Sequence, residues 1–288
     1  MNRVISKNQF WAISDQGFNT ILGTKAPENV LPMPEGMVDK DFFREALSPF
    51  INQRQPMTVP SGIALVHLYG PMVQDASPLE LAHGMTGYEE IREDIAAANA
   101  DESVKAIILV SDTPGGTVSG IEETYLAIKG SEKPVYGYNA GSATSAGYYL
   151  LAATKQIAVS PSSISGNIGT VLDFWDLSGV YESMGAKREV LTNEGADLKG
   201  TMRGPLSDGQ REFLQEQINS MGEQFRQRVE ENRHNLDEEV YRAGWYGSHD
   251  SMALGLVDYE GSLQEFVQLV STEVDIRTEN QRNENETD

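Results

Sequence analysis

VKAIILVSDTPGG, residues 104–116, joins an apolar run to a Pro-Gly-Gly turn. A strand that is apolar on both faces belongs in a parallel sheet covered on both sides. Working outward, Ile63–Tyr69, Pro134–Tyr138 and Ile157–Ser160 read as further strands, and Val190–Leu191 as part of another. Between them lie helical patterns. One starts at Thr86, whose spacing to Glu89 suggests a capping box, with Tyr88, Ile91 and Ile95 on one face. A second box, Ser119 to Glu122, opens the next helix, and Ser145–Thr154 is a helix of small residues. A long amphipathic helix begins near Ser207 with the stripe Phe213, Leu214, Ile218, Met221, Phe225 and Val229. Strands alternating with helices make an α/β chain with right-handed crossovers.

The flanks differ from this core. Residues 1–58 read as an N-terminal extension or arm, broken by Pro27, Pro32, Pro34, Pro49 and Pro56, with a helix near Asp39–Phe50. The arm is expected to pack on a neighbour or cover the site. Residues 59–271 hold the regular pattern. Residues 272–288 read as a disordered acidic tail, because only Val274 and Ile276 are large and apolar there.

Composition excludes several functions. There is no cysteine, hence no disulfide, thiolate metal site or cysteine nucleophile. The net charge of −21, from 22 basic and 43 acidic residues, opposes a nucleic-acid-binding surface. No apolar run reaches the ~18 residues of a membrane span, and the start of the chain does not read as a signal peptide, so no membrane anchor and a cytoplasmic location are expected. No G-x-x-x-x-G-K-[ST] loop is present, and the reading calls for no cofactor or metal.

Three clusters at strand ends carry chemistry. In Thr113-Pro114-Gly115-Gly116, glycines could expose backbone N–H groups to a substrate carbonyl, although the same residues also make an ordinary turn. In Gly141-Ser142-Ala143-Thr144-Ser145-Ala146-Gly147, Ser145 stands at a helix start, where a nucleophile or a mere cap fits, and Ala146 and Gly147 keep that turn uncrowded for a peptide. The loop Asn193–Gly200 carries Lys199. A Ser-His-Asp mechanism needs a histidine near the serine, but His67, His83, His234 and His249 all lie away from the segment between Ser145 and the long helix. A lysine base is the substitute, since a desolvated amine can be neutral near pH 7.

With these residues in place the chain resembles the signal peptide peptidase A family of Ser-Lys serine proteases, in the Clp/crotonase-like superfamily. Pro114-Gly115-Gly116 is similar to its oxyanion motif and Ala143–Tyr149 to its nucleophile segment. Ser165-Gly166-Asn167-Ile168-Gly169 resembles the segment beside its lysine, with Asn167 where the family often has a serine. Trp245-Tyr246-Gly247 and Ala253–Asp258 resemble its closing pattern.

The resemblance implies a Clp/crotonase-like fold of repeated β-β-α units, a mostly parallel sheet flanked by helices. It makes residues 59–271 a Ser-Lys peptidase domain. Ser145 is then the nucleophile and Lys199 the base. Gly115, Gly116 and Ala146 form the oxyanion hole, and Ser165 and Asn167 support the lysine. It also implies an ATP-independent endopeptidase and a homo-oligomer. The soluble arm resembles the phage branch, whose substrates are scaffold and capsid proteins during head assembly; signal peptides or other peptides are the other substrates, and the location is host cytoplasm or procapsid. Two other readings stay open: a crotonase-like acyl-CoA enzyme and a catalytically inactive assembly component.

Overall fold

The apolar run at 104–110 becomes the long strand Ala106–Thr113, at the centre of an eight-stranded sheet. The computed structural model describes residues 11–13, 57–187, 189–199, 205–234 and 236–285. Within these, the strands are β1 (Trp11–Ile13), β2 (Met57–Val59), β3 (Ile63–Tyr69), β4 (Met72–Val73), β5 (Thr86–Gly87) and β6 (Ala106–Thr113). They continue as β7 (Gly115–Thr117), β8 (Val135–Thr144), β9 (Ile157–Val159), β10 (Ile164–Gly166), β11 (Trp245–Gly247) and β12 (Tyr259–Glu260). The helices are α1 (Pro78–Ala82), α2 (Tyr88–Ala100), α3 (Ile121–Lys129), α4 (Ala146–Ala152), α5 (Ser178–Ser183), α6 (Asp208–Glu230), α7 (Ser248–Ala253) and α8 (Leu263–Asn285). The helix expected near Asp39–Phe50 lies outside the described residues.

The main sheet runs β11-β10-β8-β6-β3-β2, with β9 and β12 branching from β8. Pairs β3–β6, β6–β8, β8–β9 and β8–β10 are parallel, and only β2 and β11 are antiparallel additions. The fold is α/β with a mostly parallel sheet, as the sequence pattern implied. A long strand followed by a short one that leaves the main sheet, then a helix, recurs at β3–β4–α1 and β6–β7–α3. The short strands β1, β7, β4 and β5 form a second sheet in that order.

Each face of the main sheet has its own core, which explains the unbroken apolar strands. Ala64, Val66, Leu68, Ile107 and Leu109 face α2, α3 and α4. Ile63, Leu65, Ile108 and Val110 face the other way, onto Phe266, Val270 and Val274 of α8. Of the expected disordered tail, residues 272–285 are instead helical, and 286–288 lie outside the described residues. The helix continues to Asn285, and Ser262 and Glu265 form a capping box at its start. Phe266, Val270 and Val274, four residues apart, lie on one helical face.

Both sequence-assigned capping boxes are also corrected. Thr86 belongs to β5 and its Oγ1 donates to the Tyr69 carbonyl at 2.6 Å, so Gly87 caps α2. Gly120, at φ 90°, caps α3, and Glu122 turns away from Ser119 toward Arg228 and Tyr149. A capping box does form at the start of α6, where Ser207 closes on Gln210. Val190–Leu191 forms no strand and is exposed. Of the α6 stripe, Phe225 and Val229 are buried while Phe213 is exposed.

Candidate active site

Ser145 lies between the end of β8 and the first turn of α4. Its backbone has φ 55° and ψ −120°, a region that side-chain-bearing residues avoid at a cost of about 1–3 kcal/mol. The strain is held from both sides. Ser145 N donates to the Gly166 carbonyl at 2.8 Å, while its own carbonyl accepts from Tyr149 N at 2.9 Å. Parallel pairing of Thr144 with Gly166 aligns these strand ends. The residue occupies the N-cap position, yet its side chain makes no capping hydrogen bond. Among the described residues, its Oγ is buried with no hydrogen-bond partner.

The Pro-Gly-Gly turn becomes β7, directly beside this helix start. Gly147 packs so closely that a β-carbon there would meet Thr113 Cγ2 at 2.5 Å. The small Ala146-Gly147 pair therefore serves helix–strand packing, and both residues are buried. That is a different reason from the room for a peptide that the sequence suggested. Gly116 is confined likewise, since a β-carbon there would lie 2.2 Å from the Met72 carbonyl oxygen. Of the expected oxyanion donors, Gly115 N is already engaged, donating to Thr113 Oγ1 at 3.1 Å. Ala146 N, in the first turn of α4, has no intrahelical acceptor.

Ser165 and Asn167 lie close to the serine in the fold but are committed elsewhere. Ser165 Oγ accepts from Asn139 Nδ2 at 2.9 Å. Asn167, at φ 55°, donates from its backbone N to Gly244 O and from Nδ2 to Ala243 O at 2.8 Å. Lys199 is exposed, in a loop where its backbone N donates to Ala196 O and Gln210 Nε2 donates to Asp197 O. The described geometry does not bring the lysine to Ser145 Oγ. Asn139 escaped the sequence reading, as did the role of the Thr113 side chain. Asn139, fully buried, also donates to Ile164 O and accepts from Gly141 N, which ties β8 to β10. Thr113 Oγ1 donates to Gly70 O at 2.6 Å and so ties β6 to the second sheet. The signal for Asn139 was an amide ending an apolar strand.

Behind the serine, α4 is anchored by its two tyrosines. Tyr148 donates to Leu256 O at 2.8 Å, and Tyr149 donates to Glu122 Oε2 at 2.6 Å. Arg228 of α6 pairs with the same carboxylate. Burial works against ionisation of Glu122, but hydrogen bonds from Arg228 and Tyr149 outweigh it and hold the carboxyl below its ordinary value. Burial, and then the Glu122 hydrogen bond, push the Tyr149 hydroxyl well up. Among the described residues no cluster of acidic or imidazole groups could hold a metal ion. No described helix is long and apolar enough to cross a membrane.

A model of Peptidase family S49 matches residues 127–277, more than half of the chain. Capsid assembly protease C of Escherichia phage lambda is 28% identical over 179 residues, covering 62% of this chain and 41% of that protein. The chloroplastic serine protease SPPA of Arabidopsis thaliana is 25% identical over 220 residues, covering 74% and 32% respectively. Protease 4 of Haemophilus influenzae is 28% identical over 233 residues, covering 78% and 37%. The chain thus spans about a third to two-fifths of the length of these relatives. Among solved structures, an enoyl-CoA hydratase/isomerase family member aligns over 77% of this chain and 74% of its own, at 16% identity and a TM-score of 0.41. With the matched segment running from the end of α3 through the serine and its flanking strands into α8, the chain belongs to peptidase family S49.

Proposed function

We propose that this chain is an ATP-independent serine endopeptidase in which Ser145 attacks the scissile carbonyl. The observation that carries the reading is the state of Ser145: strained at φ 55° and buried with an unpartnered hydroxyl. A serine kept only as a cap would make the capping bond and avoid the strain, whereas an unpaired buried hydroxyl costs about 1–3 kcal/mol. Both costs make sense for a nucleophile aimed at a substrate. Backbone N–H groups of Gly116 and Ala146 would receive the oxyanion; Gly115 N, already bonded to Thr113, would contribute by placing Gly116.

Lys199 is proposed as the base that takes the Ser145 proton and returns it to the leaving amine. It stands in an exposed loop, and Trp175, Val180, Tyr181, Met184 and Leu191 are exposed along the chain before it. Such apolar exposure marks a surface meant to be covered. A second copy of the chain covering this segment would both desolvate the lysine and carry it toward a serine. Ser165 and Asn167 would then hold the loop or its backbone in place.

The substrate is a polypeptide. The names of relatives, a capsid assembly protease of phage lambda and a head-tail preconnector protein of phage P21, support scaffold or capsid proteins of an assembling phage head, with signal or other peptides as the alternative. That reading places the protein in host cytoplasm or procapsid. The test is hydrolysis of extended fluorogenic peptides and casein by purified protein. Ser145→Ala should abolish it while Ser142→Ala keeps it; retained cleavage in Ser145→Ala would refute the assignment.

A further inference from the structure

The strand β7 has two edges. Met72 of β4 pairs with Gly116 on one, and β1 takes the other, antiparallel, with Trp11 opposite Thr117, Ala12 opposite Gly116 and Ile13 opposite Gly115. A substrate strand that is to lie along β7 therefore has a single edge available, and a segment far earlier in the chain already fills it. Ser145, at the start of the helix α4 that packs beside β7, is only 1% exposed, so no polypeptide reaches it in this arrangement. The edge of β7 is thus occupied and the serine is closed off.

We propose that Trp11–Ile13 is an internal occupant of the peptide-binding edge of β7, which a substrate strand must displace. The proposal rests on the reading of Ser145 as nucleophile. Strand addition of this kind binds through main-chain hydrogen bonds, so any extended polypeptide segment can exchange with the occupant. The glycines opposite Ala12 and Ile13 offer no side chains that would select a sequence. Being in the same chain, the occupant competes at a high effective concentration. The cleft then opens to substrates that are themselves abundant or held nearby, and the free enzyme is restrained.

The test uses full-length protein, Ala12→Pro and, as a second break in the strand, Ile13→Pro, because proline within a strand removes a ladder donor. Neighbouring amides of a strand point to opposite edges, so exchange at the β7 amides that face β1, either Gly116 or the alternate pair Gly115 and Thr117, should be slow in the unaltered chain and about tenfold faster in both variants. The kcat/KM for an extended peptide should rise by about the same factor, mainly through KM, since only the open fraction binds substrate. A synthetic peptide of residues 8–16 should restore protection and inhibit the variants. Equal exchange in all three proteins overturns the proposal. So does lost protection without faster hydrolysis in protein whose Ser145 reacts with a serine-directed phosphonate. If protection changes as stated but no protein cleaves peptide or takes up the phosphonate, the docked strand is upheld and the peptidase reading alone falls.

Discussion

Replacing Ser145 by alanine separates two roles by the sign of a stability change. A capping serine loses about 1 kcal/mol on such a replacement. Here the hydroxyl is buried and unpartnered, so Ser145→Ala should gain about 1 kcal/mol in urea unfolding while losing hydrolysis by about a thousandfold or more. Ser145→Gly should gain as well, because glycine adopts φ 55° freely. A destabilised alanine variant would make Ser145 a cap after all. Lysine accepts a proton only when neutral, whereas guanidinium stays charged, so Lys199→Arg should be as inactive as Lys199→Ala in a peptide assay. Activity should climb toward alkaline pH as a lysine base loses its proton. Substantial activity in Lys199→Arg would contradict the dyad. The small residues around Ser145 stood out in the sequence, but they were read as room for a peptide, whereas Gly147 is small because the helix packs closely on Thr113. The strain at Ser145 and the roles of Thr113 and Asn139 were not legible there, since they depend on partners distant in sequence such as Gly70 and Ile164.

The helix α8 shows how local pattern and local composition can disagree. Polar residues crowd the chain after Thr272, which read as a tail, yet Val274 is buried with Phe266 and Val270 against β3 and β6. Truncation before Val274 should therefore cost about 1–2 kcal/mol of stability, the value of one buried valine, whereas removal from Arg277 onward should be neutral. The ion pair of Lys105 with Asp275 adds little, being half exposed. On α2, Asp94 has its carboxyl pushed up to about 7, first by burial and then by Glu93 and Glu90. Between its ordinary value and that one the folded chain keeps a proton that the unfolded chain has released, so stability falls as pH rises through this window. Asp94→Asn should raise the melting temperature more at pH 8 than at pH 5. An equal gain at both would contradict the assignment. The sequence reading placed β3 and β6 correctly because burial on both sheet faces demands unbroken apolar runs. It misplaced the caps at Thr86 and Ser119 because tertiary partners, Tyr69 for one and Arg228 for the other, claimed the residues concerned.

The whole molecule carries −21 charges and an exposed apolar segment preceding Lys199. Self-association through that segment has to overcome like-charge repulsion, so the mass measured by light scattering should rise with salt. Val180→Asp or Tyr181→Asp should leave a folded single chain with little activity, if a second copy desolvates the lysine. Activity unchanged in a monomeric variant would show that one chain suffices. The α/β class was readable from the alternation of strands with helices and the family from the order of the motifs, whereas the pairing of β1 with β7 joins segments far apart in sequence and no local pattern records it. Covalent labelling distinguishes Ser145 from every other candidate nucleophile. Purified protein that hydrolyses a peptide substrate, treated with a fluorophosphonate and mapped by peptide mass spectrometry, should carry one adduct, on Ser145, with activity lost in proportion. Full inactivation with the adduct on Ser142 or any other residue, and Ser145 unmodified, would contradict it.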